Sequence, residues 1–272
     1  MKNKQIIPLP FPVYFWAVAF FAFSGLADSV YLSISHYRVY TDIAYESFCA
    51  ISRSINCDTV SQSPYSIFIR IPVPVWGIIG YTFFMLFLPF AWSKEAQKQK
   101  VWPILFFMSL AFSVYSVILA YISTFYIHSY CMMCIVSFGI NFLLLYYTWI
   151  IRKRFDKLSI VKGMKLDIAF LWQKKKKTIP IFFSTLCIVI FLLISFPSYW
   201  NFTPPVLSKS IPSGITEDGY PWIGAETPKL LIMEFTDYQC FQCKKMHFFL
   251  RKLVEKNSDK IRLIHQIGRA HV

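Results

Sequence analysis

Five long apolar segments limit the architectures open to this chain. They span approximately residues 11–32, 71–92, 102–122, 131–151 and 179–199. Each is about 20 residues long, the length an α-helix needs to cross the hydrocarbon core of a bilayer. The 272 residues are 56% hydrophobic and only 15% charged, which is typical of lipid-facing helices and not of a soluble domain. The sequence therefore predicts an all-α membrane protein.

Basic residues indicate how these spans are oriented. The net charge is +14, and ten of the basic residues lie between Arg152 and Lys177, with others before the first span and between the second and third. If the spans alternate in direction, all three segments lie on one side, which the positive-inside rule makes cytoplasmic. We therefore expect a cytoplasmic N-terminus, a basic cytoplasmic loop at 152–178 and an exported tail. Charge confined to loops, without stacking aromatics or a recognition helix, argues against nucleic acid as a partner.

Six of the seven cysteines form three pairs in the sequence, and this topology puts every pair on the exported side. The pairs are Cys49 with Cys57, Cys131 with Cys134, and Cys240 with Cys243. Cys187 stands alone inside the fifth span, where we interpret it as a small hydrophobic residue. Exported compartments favour disulfides. Three pairs on one face indicate redox chemistry, while structural disulfides and metal ligation remain alternatives for short cysteine motifs.

The first two pairs occupy different local settings. Cys131-Met-Met-Cys134 opens the fourth span, where unpaired backbone N–H groups and the helix dipole stabilise a thiolate. Cys49 and Cys57 lie in a polar loop, which is able to move between a soluble thiol donor and a membrane acceptor. A disulfide that only staples the loop is the alternative for that pair.

The C-terminal part of the chain has the element order of a redox domain. A Pro-, Ser- and Gly-rich linker at 200–227 precedes an apolar strand, the pair Cys240-Phe-Gln-Cys243, a helix and a second strand at 261–264. A CxxC motif between a strand and a helix is typical of thioredoxin-like domains, with Cys240 as nucleophile and Cys243 as resolving thiol. Residues 228–272 are fewer than the roughly 100 that such a domain needs. We therefore expect an incomplete α/β thioredoxin-like domain.

Zinc is the rival interpretation of the tail motif. Cys240 and Cys243 have the spacing of metal ligands, and two histidines, His247 and His265, follow in the sequence. Their spacing does not supply a convincing second pair of ligands. The sequence therefore predicts no metal.

A combination of motifs is more specific than any single CxxC. It comprises Cys49-x7-Cys57-Asp-Thr-Val-Ser-Gln-Ser63-Pro-Tyr-Ser, Gly77-x-x-Gly80-Tyr81, Tyr130-Cys131-Met-Met-Cys134, and GLADSVYLSISH at 25–36. Together these motifs resemble the bacterial vitamin K epoxide reductase homologues. The tail from Phe235 to Lys244 is similar to the DsbA-like thioredoxin partner that some members carry fused, except that Phe241 and Gln242 stand where a proline is usual.

The resemblance implies a fold and a cofactor. It implies a four-helix transmembrane catalytic bundle at 11–151 around a quinone, either ubiquinone or menaquinone. A fifth helix at 179–199 would tether the partial redox domain at 228–272. The expected setting is the bacterial inner membrane, with membrane lipid as a further partner.

The resemblance also implies a role for each site residue. Cys131 and Cys134 would be the active-site pair, with Cys134 nearer the quinone, and Cys49 and Cys57 would be the shuttle pair. Ser63 matches the position of a hydroxyl beside the site, although a helix-cap or turn serine is the plainer interpretation.

The implied function is a quinone-dependent thiol oxidoreductase that drives disulfide formation. Electrons from reduced exported proteins would enter at Cys240 and Cys243, or from a separate thioredoxin-like protein. Three alternatives stay open at this point: quinone or epoxide reduction as the purpose, structural disulfides in a non-catalytic protein, and a four-thiolate metal site. Asp28 in the first span is a costly intramembrane charge, and it is either functional or at headgroup level.

Overall fold

A computed structural model describes residues 9–52, 54–92, 100–155, 159–201, 211–237 and 241–267. The helices in these ranges are α1 (Phe11–Thr41), α2 (Cys57–Gln62), α3 (Val73–Ala91), α4 (Trp102–Ile122), α5 (Met132–Phe155), α6 (Ile160–Gln173), α7 (Lys175–Ser195) and α8 (Phe241–Lys256). The strands are β1 (Ile67–Phe68), β2 (Ile71–Pro72), β3 (Ser213–Ile215), β4 (Pro221–Gly224), β5 (Leu230–Thr236) and β6 (Ile261–Ile267). The chain divides into a helical bundle, residues 46–197 with 1–39, and a C-terminal unit, residues 198–272 with 40–45.

The predicted transmembrane architecture is confirmed. Helices α1, α3, α4, α5 and α7 are long and apolar enough to cross a membrane, and the chain is a multi-pass membrane protein. Three helices differ most from the expected bounds, and one of them, α5, ends at Phe155 instead of residue 151. The first helix continues past residue 32 to Thr41, and the fifth runs over Lys175–Ser195, earlier than the predicted 179–199.

Four of these helices, α1, α3, α4 and α5, enclose an aromatic-rich core. Val18, Phe84, Trp102 and Leu144 are fully buried in it. By contrast, α7 has no fully buried residue: Ile181 packs against the core, while most of its other apolar side chains, such as Phe182, Phe191 and Ile194, are exposed. Outward-facing apolar side chains suit a helix whose solvent is lipid.

Two glycines of the sequence motifs allow α1 and α3 to approach each other closely. A Cβ atom at Gly25 would lie 2.3 Å from the ring of Tyr81, and one at Gly77 would lie 2.5 Å from the Ser29 hydroxyl. Both distances are below van der Waals contact, so a larger residue at either position would push the helices apart. The glycines thereby bring the Tyr81 ring against α1.

The segment predicted as a basic cytoplasmic loop at 152–178 is largely helical where the structure describes it. Helix α5 continues to Phe155, and α6 follows at Ile160–Gln173. Buried Asp167 of α6 accepts a hydrogen bond from the Val101 backbone N–H at 2.8 Å. Val101 is the N-cap of α4, so α6 supplies the acceptor that the start of α4 needs.

The C-terminal unit contains a four-stranded sheet in the order β3-β4-β6-β5. Strands β5 and β6 are parallel, from Leu230 opposite Ile261 to Thr236 opposite Ile267, and α8 connects them. This confirms the predicted strand–CxxC helix–strand order and is compatible with a thioredoxin-like domain. The antiparallel pair β3 and β4 lies in the predicted linker at 200–227, so the sheet begins earlier in the chain than the sequence prediction has it.

Candidate active site

The loop pair is joined by a disulfide between Cys49 and Cys57, whose Cα atoms are 5.7 Å apart. Cys57 is the first residue of α2, and the side-chain oxygen of Asn56 caps this helix by accepting the Asp58 N–H at 2.9 Å. The Asp58 carboxylate in turn accepts the Ser47 N–H at 3.1 Å. The two halves of the loop are therefore fastened by polar contacts on both sides of the disulfide.

A short backbone bridge ties this loop to the start of the fourth span. The Asn56 N–H donates to the Tyr130 carbonyl at 2.9 Å, and the Tyr130 N–H donates to the Ser54 carbonyl at 2.8 Å. Asn56 precedes Cys57 and Tyr130 precedes Cys131 in the chain. The bridge therefore brings one cysteine of each pair to the same place.

Three cysteines are buried together as a result. Cys49, Cys57 and Cys131 expose 0%, 2% and 3% of their surface and form one cluster. Leu32 and Val60 pack against this cysteine cluster. The sulfur atoms of the loop pair and of the first CxxC cysteine therefore share one water-excluded environment.

The membrane CxxC is in the dithiol form, with Cys131 and Cys134 free. Cys131 lies just before the span that begins at Met132, and its sulfur accepts the Cys134 backbone N–H at 3.3 Å. A hydrogen bond from the Cys134 thiol, together with backbone N–H groups of the helix start, holds the pKa of Cys131 below its ordinary value. Burial and the nearby Asp28 charge oppose this shift without reversing it.

Both CxxC thiols face a large cavity in the bundle. The cavity has a volume of about 630 Å³ and is lined by Cys131, Cys134 and mostly apolar side chains, including Phe138, Tyr115 and Trp76. Its size and apolar character are those of a small-molecule site.

Ser63 also lines this cavity. Its hydroxyl donates to the Val60 carbonyl at 2.7 Å at the C-terminal end of α2. Its visible contact is thus a local helix-end hydrogen bond, and a contact with a bound ligand stays a prediction.

Sequence reasoning missed a polar network in the cavity wall. The Tyr81 hydroxyl donates to Asn141 Oδ1 at 2.6 Å, and Asn141 Nδ2 donates to the Ser116 hydroxyl at 2.7 Å. All three residues line the cavity. An asparagine side chain inside an apolar span costs free energy unless it has hydrogen-bond partners. The position of Asn141 in the sequence could therefore have predicted this network.

Asp28 is buried in the bundle and is close to the CxxC pair. The Ser137 hydroxyl donates to Asp28 Oδ2, and Ser137 lies one helical turn after Cys134. The other carboxyl oxygen, Oδ1, is buried and has no hydrogen-bond partner among the described residues. The carboxyl group therefore faces the bundle interior.

Of the remaining cysteines, the structure describes Cys243 and Cys187. Cys243 is in the first turn of α8 and is disulfide-bonded, while Cys240 lies outside the described residues. Cys187 is a free, exposed thiol on α7.

Comparison with protein families identifies the bundle. Residues 16–149 match the family model described as the vitamin K epoxide reductase family. The bundle formed by these residues belongs to that family. The match contains the loop pair, the membrane CxxC and the cavity residues named above, and it makes this vitamin K epoxide reductase family bundle a membrane thiol oxidoreductase. The chain has no match among curated proteins.

Proposed function

We propose that the chain is a thiol:quinone oxidoreductase that drives disulfide formation in exported proteins. The observation that carries this proposal is the burial of Cys131 with the Cys49–Cys57 disulfide, next to a cavity that Cys134 lines. Exchange between two cysteine pairs requires an attacking thiolate and a target sulfur in contact. The shared burial of these three cysteines supports such a contact.

The proposed exchange moves two electrons from the loop pair to the CxxC pair. The Cys57 thiolate attacks the Cys131 sulfur of a Cys131–Cys134 disulfide, and Cys134 leaves as a thiolate. Cys49 then attacks Cys57, which re-forms the loop disulfide and releases Cys131 as a thiolate. A thiol of lowered pKa is the better leaving group, so the lowered pKa of Cys131 favours its release.

The cavity fits a quinone ring. Its volume of about 630 Å³ lies within the roughly 300–1,000 Å³ of small-molecule pockets. Phe138 and Tyr115 offer aromatic surfaces to a planar ring, and the Tyr81–Asn141 pair offers polar groups. When bound there, a quinone supplies an acceptor for two electrons and two protons.

The chain's own residues account for the protons of this reaction. Re-forming the Cys131–Cys134 disulfide releases two electrons and the two thiol protons. Asp28, connected to the helix of Cys134 through Ser137, is placed to hold one of these protons inside the bundle. A buried carboxyl group beside a reacting thiol is suited to such proton transfer.

The donor side of the proposal rests on the sequence. Reduced exported proteins would pass electrons to Cys240 and Cys243, or to a separate thioredoxin-like protein, and from there to the loop pair. We place the cysteines on the exported side of a bacterial inner membrane with the N-terminus in the cytoplasm. The proposed domains are the catalytic bundle at 11–151, the basic segment that follows it, the tethering helix α7 at Lys175–Ser195, and a redox domain whose sheet includes β3 and β4 of the expected linker at 200–227 as well as residues 228–272.

Two alternatives fit the site less well. A disulfide that only staples the loop needs no third cysteine, yet Cys131 is buried against the Cys49–Cys57 bond. A four-thiolate metal site needs all four sulfurs as ligands, whereas those of Cys49 and Cys57 are bonded to each other.

Anaerobic quinone reduction by the purified protein, with a reduced dithiol as electron donor, tests the proposed function. Cys134→Ala is expected to abolish turnover, and Cys187→Ala, a matched cysteine removed from the lipid-facing α7, is expected to retain it. Undiminished turnover in Cys134→Ala would contradict the proposal. So would the absence of turnover in every protein when quinone is shown to be bound.

A further inference from the structure

Three metal-ligating side chains, Glu234, His247 and His265, meet within the C-terminal unit. Glu234 Oε2 lies 2.7 Å from His247 Nδ1 and 3.3 Å from His265 Nδ1. The ligand atoms of all three residues lie within 4.8 Å of one another. The three residues are far apart along the chain, which is why His247 and His265 alone did not predict a metal site from the sequence.

The fold explains why they meet. Glu234 on β5 is the register partner of His265 on β6, so the two side chains project from the same face of the parallel pair. His247 lies on α8, the helix that connects these strands and packs against the sheet. It follows Cys243 by one helical turn, on the same side of the helix.

The carboxylate of Glu234 has an unused oxygen. Glu234 is only 5% exposed, and its Oε1 atom has no hydrogen-bond partner among the residues that the structure describes. A buried ionised oxygen without a partner is costly. Two imidazoles on Oε2 alone do not remove this cost, whereas a bound cation would.

We propose that Glu234, His247 and His265 form a zinc site with three protein ligands and one open position. Two histidines and one glutamate are a ligand set that zinc accepts when a fourth position is left for water or another small ligand. Tetrahedral bonds of about 2.0–2.1 Å place ligand atoms about 3.3 Å apart. The distance from Glu234 to His265 already has that value, and the 2.7 Å between Glu234 and His247 would have to lengthen by about half an ångström.

The surroundings of the cluster suit a bound ion. The Thr236 hydroxyl lies beside the His265 ring, 3.2 Å from Nε2 and 3.4 Å from Nδ1. A cavity of about 620 Å³, lined by both histidines and by Cys243, gives access to the cluster. Lys244 and Arg251 line the same cavity, so the open zinc position would favour an anionic fourth ligand.

Zinc binding by the full chain in detergent tests this proposal and does not depend on the thiol:quinone activity. The oxidised protein is stripped with a chelator and titrated with Zn²⁺, and X-ray absorption at the zinc edge identifies the bound atoms. We expect one zinc per chain with a first shell of nitrogen and oxygen at about 2.0–2.1 Å. Glu234→Gln and His265→Ala are expected to weaken binding by roughly tenfold or more, because each removes a ligand.

A histidine in the bundle provides the matched control. His128 has a left-handed backbone conformation with φ of 55°, which asparagine tolerates, so His128→Asn is expected to bind zinc like the wild type. Three results would overturn the proposal: no zinc in the folded wild type, a first shell that contains sulfur, or ligand variants that bind zinc as tightly as the wild type. If a ligand variant does not fold, the X-ray absorption spectrum of the wild type still shows whether nitrogen and oxygen or sulfur atoms bind the zinc.

Discussion

The backbone N–H of Asn56 donates to the carbonyl of Tyr130 at 2.9 Å. This one bond joins the residue before Cys57 to the residue before Cys131. The Asn56 side chain also accepts the N–H groups of Asp58 and Thr59 and so caps α2. Asn56 therefore has two roles. Its backbone N–H fixes the position of the neighbouring Cys57, and its side chain caps α2, the helix that Cys57 begins.

Replacing Asn56 by alanine should loosen the loop without removing a cysteine. Loss of an N-cap side chain costs about 0.5–2 kcal/mol, so Asn56→Ala is expected to lower the melting temperature and to slow electron transfer from the loop pair to the CxxC pair. Rapid-quench trapping of thiols measures that transfer. Asn201→Ala, at an exposed position, is the control, and equal transfer rates in the two variants would show that the cap does not position Cys57.

The pH dependence of Cys131 follows from its lowered pKa. The Cys134 thiol is the largest cause of this shift, so Cys134→Ala should raise the pH at which Cys131 ionises. Ultraviolet absorbance of the thiolate, taken as the difference from Cys131→Ser, measures this midpoint. An unchanged midpoint in Cys134→Ala would exclude the hydrogen bond as the cause.

The lowered pKa of Cys131 also makes the free energy of unfolding depend on pH. The folded state holds the pKa of Cys131 below the unfolded value, so the ionised thiol favours folding at pH values above the ordinary thiol pKa. That contribution is lost as the pH falls through the lowered pKa. Unfolding measured across this range should show the loss in the wild type and not in Cys131→Ser.

The glycines of the bundle should differ in their tolerance of a methyl group. A Cβ atom at Gly25 would lie 2.3 Å from the Tyr81 ring, whereas nothing lies within 4 Å of one at Gly139. Overpacking costs about 1–3 kcal/mol, so Gly25→Ala should lower the melting temperature in detergent. Gly139→Ala should leave it unchanged or raise it, because alanine is the better helix former. Equal melting temperatures would contradict the close approach of α1 and α3.

The carboxyl group of Asp28 should matter for quinone reduction. If it holds a proton released by the CxxC pair, Asp28→Asn should lower kcat by about a hundredfold or more, which is the lower end of the range for general acid–base catalysis, with little change in KM. Asp28→Glu should restore part of the rate, and Asp218→Asn, at an exposed position, should have none of these effects. Wild-type turnover in Asp28→Asn would show that the carboxyl group takes no part in the reaction.

Features that depend on local pattern were predictable from the sequence. The five spans follow from the length of their apolar runs, and the pairing of β5 with β6 across α8 follows from the motif around Cys243. Helix α6 was missed because its basic residues suggested a loop, while burial of Asp167 depends on tertiary contact with Val101. The hairpin of β3 and β4 had a readable signal in Asp218-Gly219, where Gly219 has a φ of +85°, typical of a tight hairpin turn.

The candidate site was only partly predictable for a related reason. Cysteine spacing and topology placed three pairs on one side, but the burial of Cys131 with the loop pair depends on the bridge between Asn56 and Tyr130, whose backbone groups leave no mark in the sequence. The meeting of Glu234 with His265 likewise depends on strand register, which pattern alone does not fix.

Selective disulfide formation tests the proposed relay most directly. In Cys49→Ser/Cys134→Ser, Cys57 and Cys131 are the remaining cysteines of the site, and mild anaerobic oxidation should join them rapidly, as detected by mass spectrometry of the digested protein. In Cys49→Ser/Cys131→Ser, Cys57 and Cys134 should remain largely unjoined, because Cys131 is buried with Cys57 while Cys134 is exposed. Preferential formation of the Cys57–Cys131 bond would support the relay. Equal rates for the two pairs, or no bond in either variant, would contradict it.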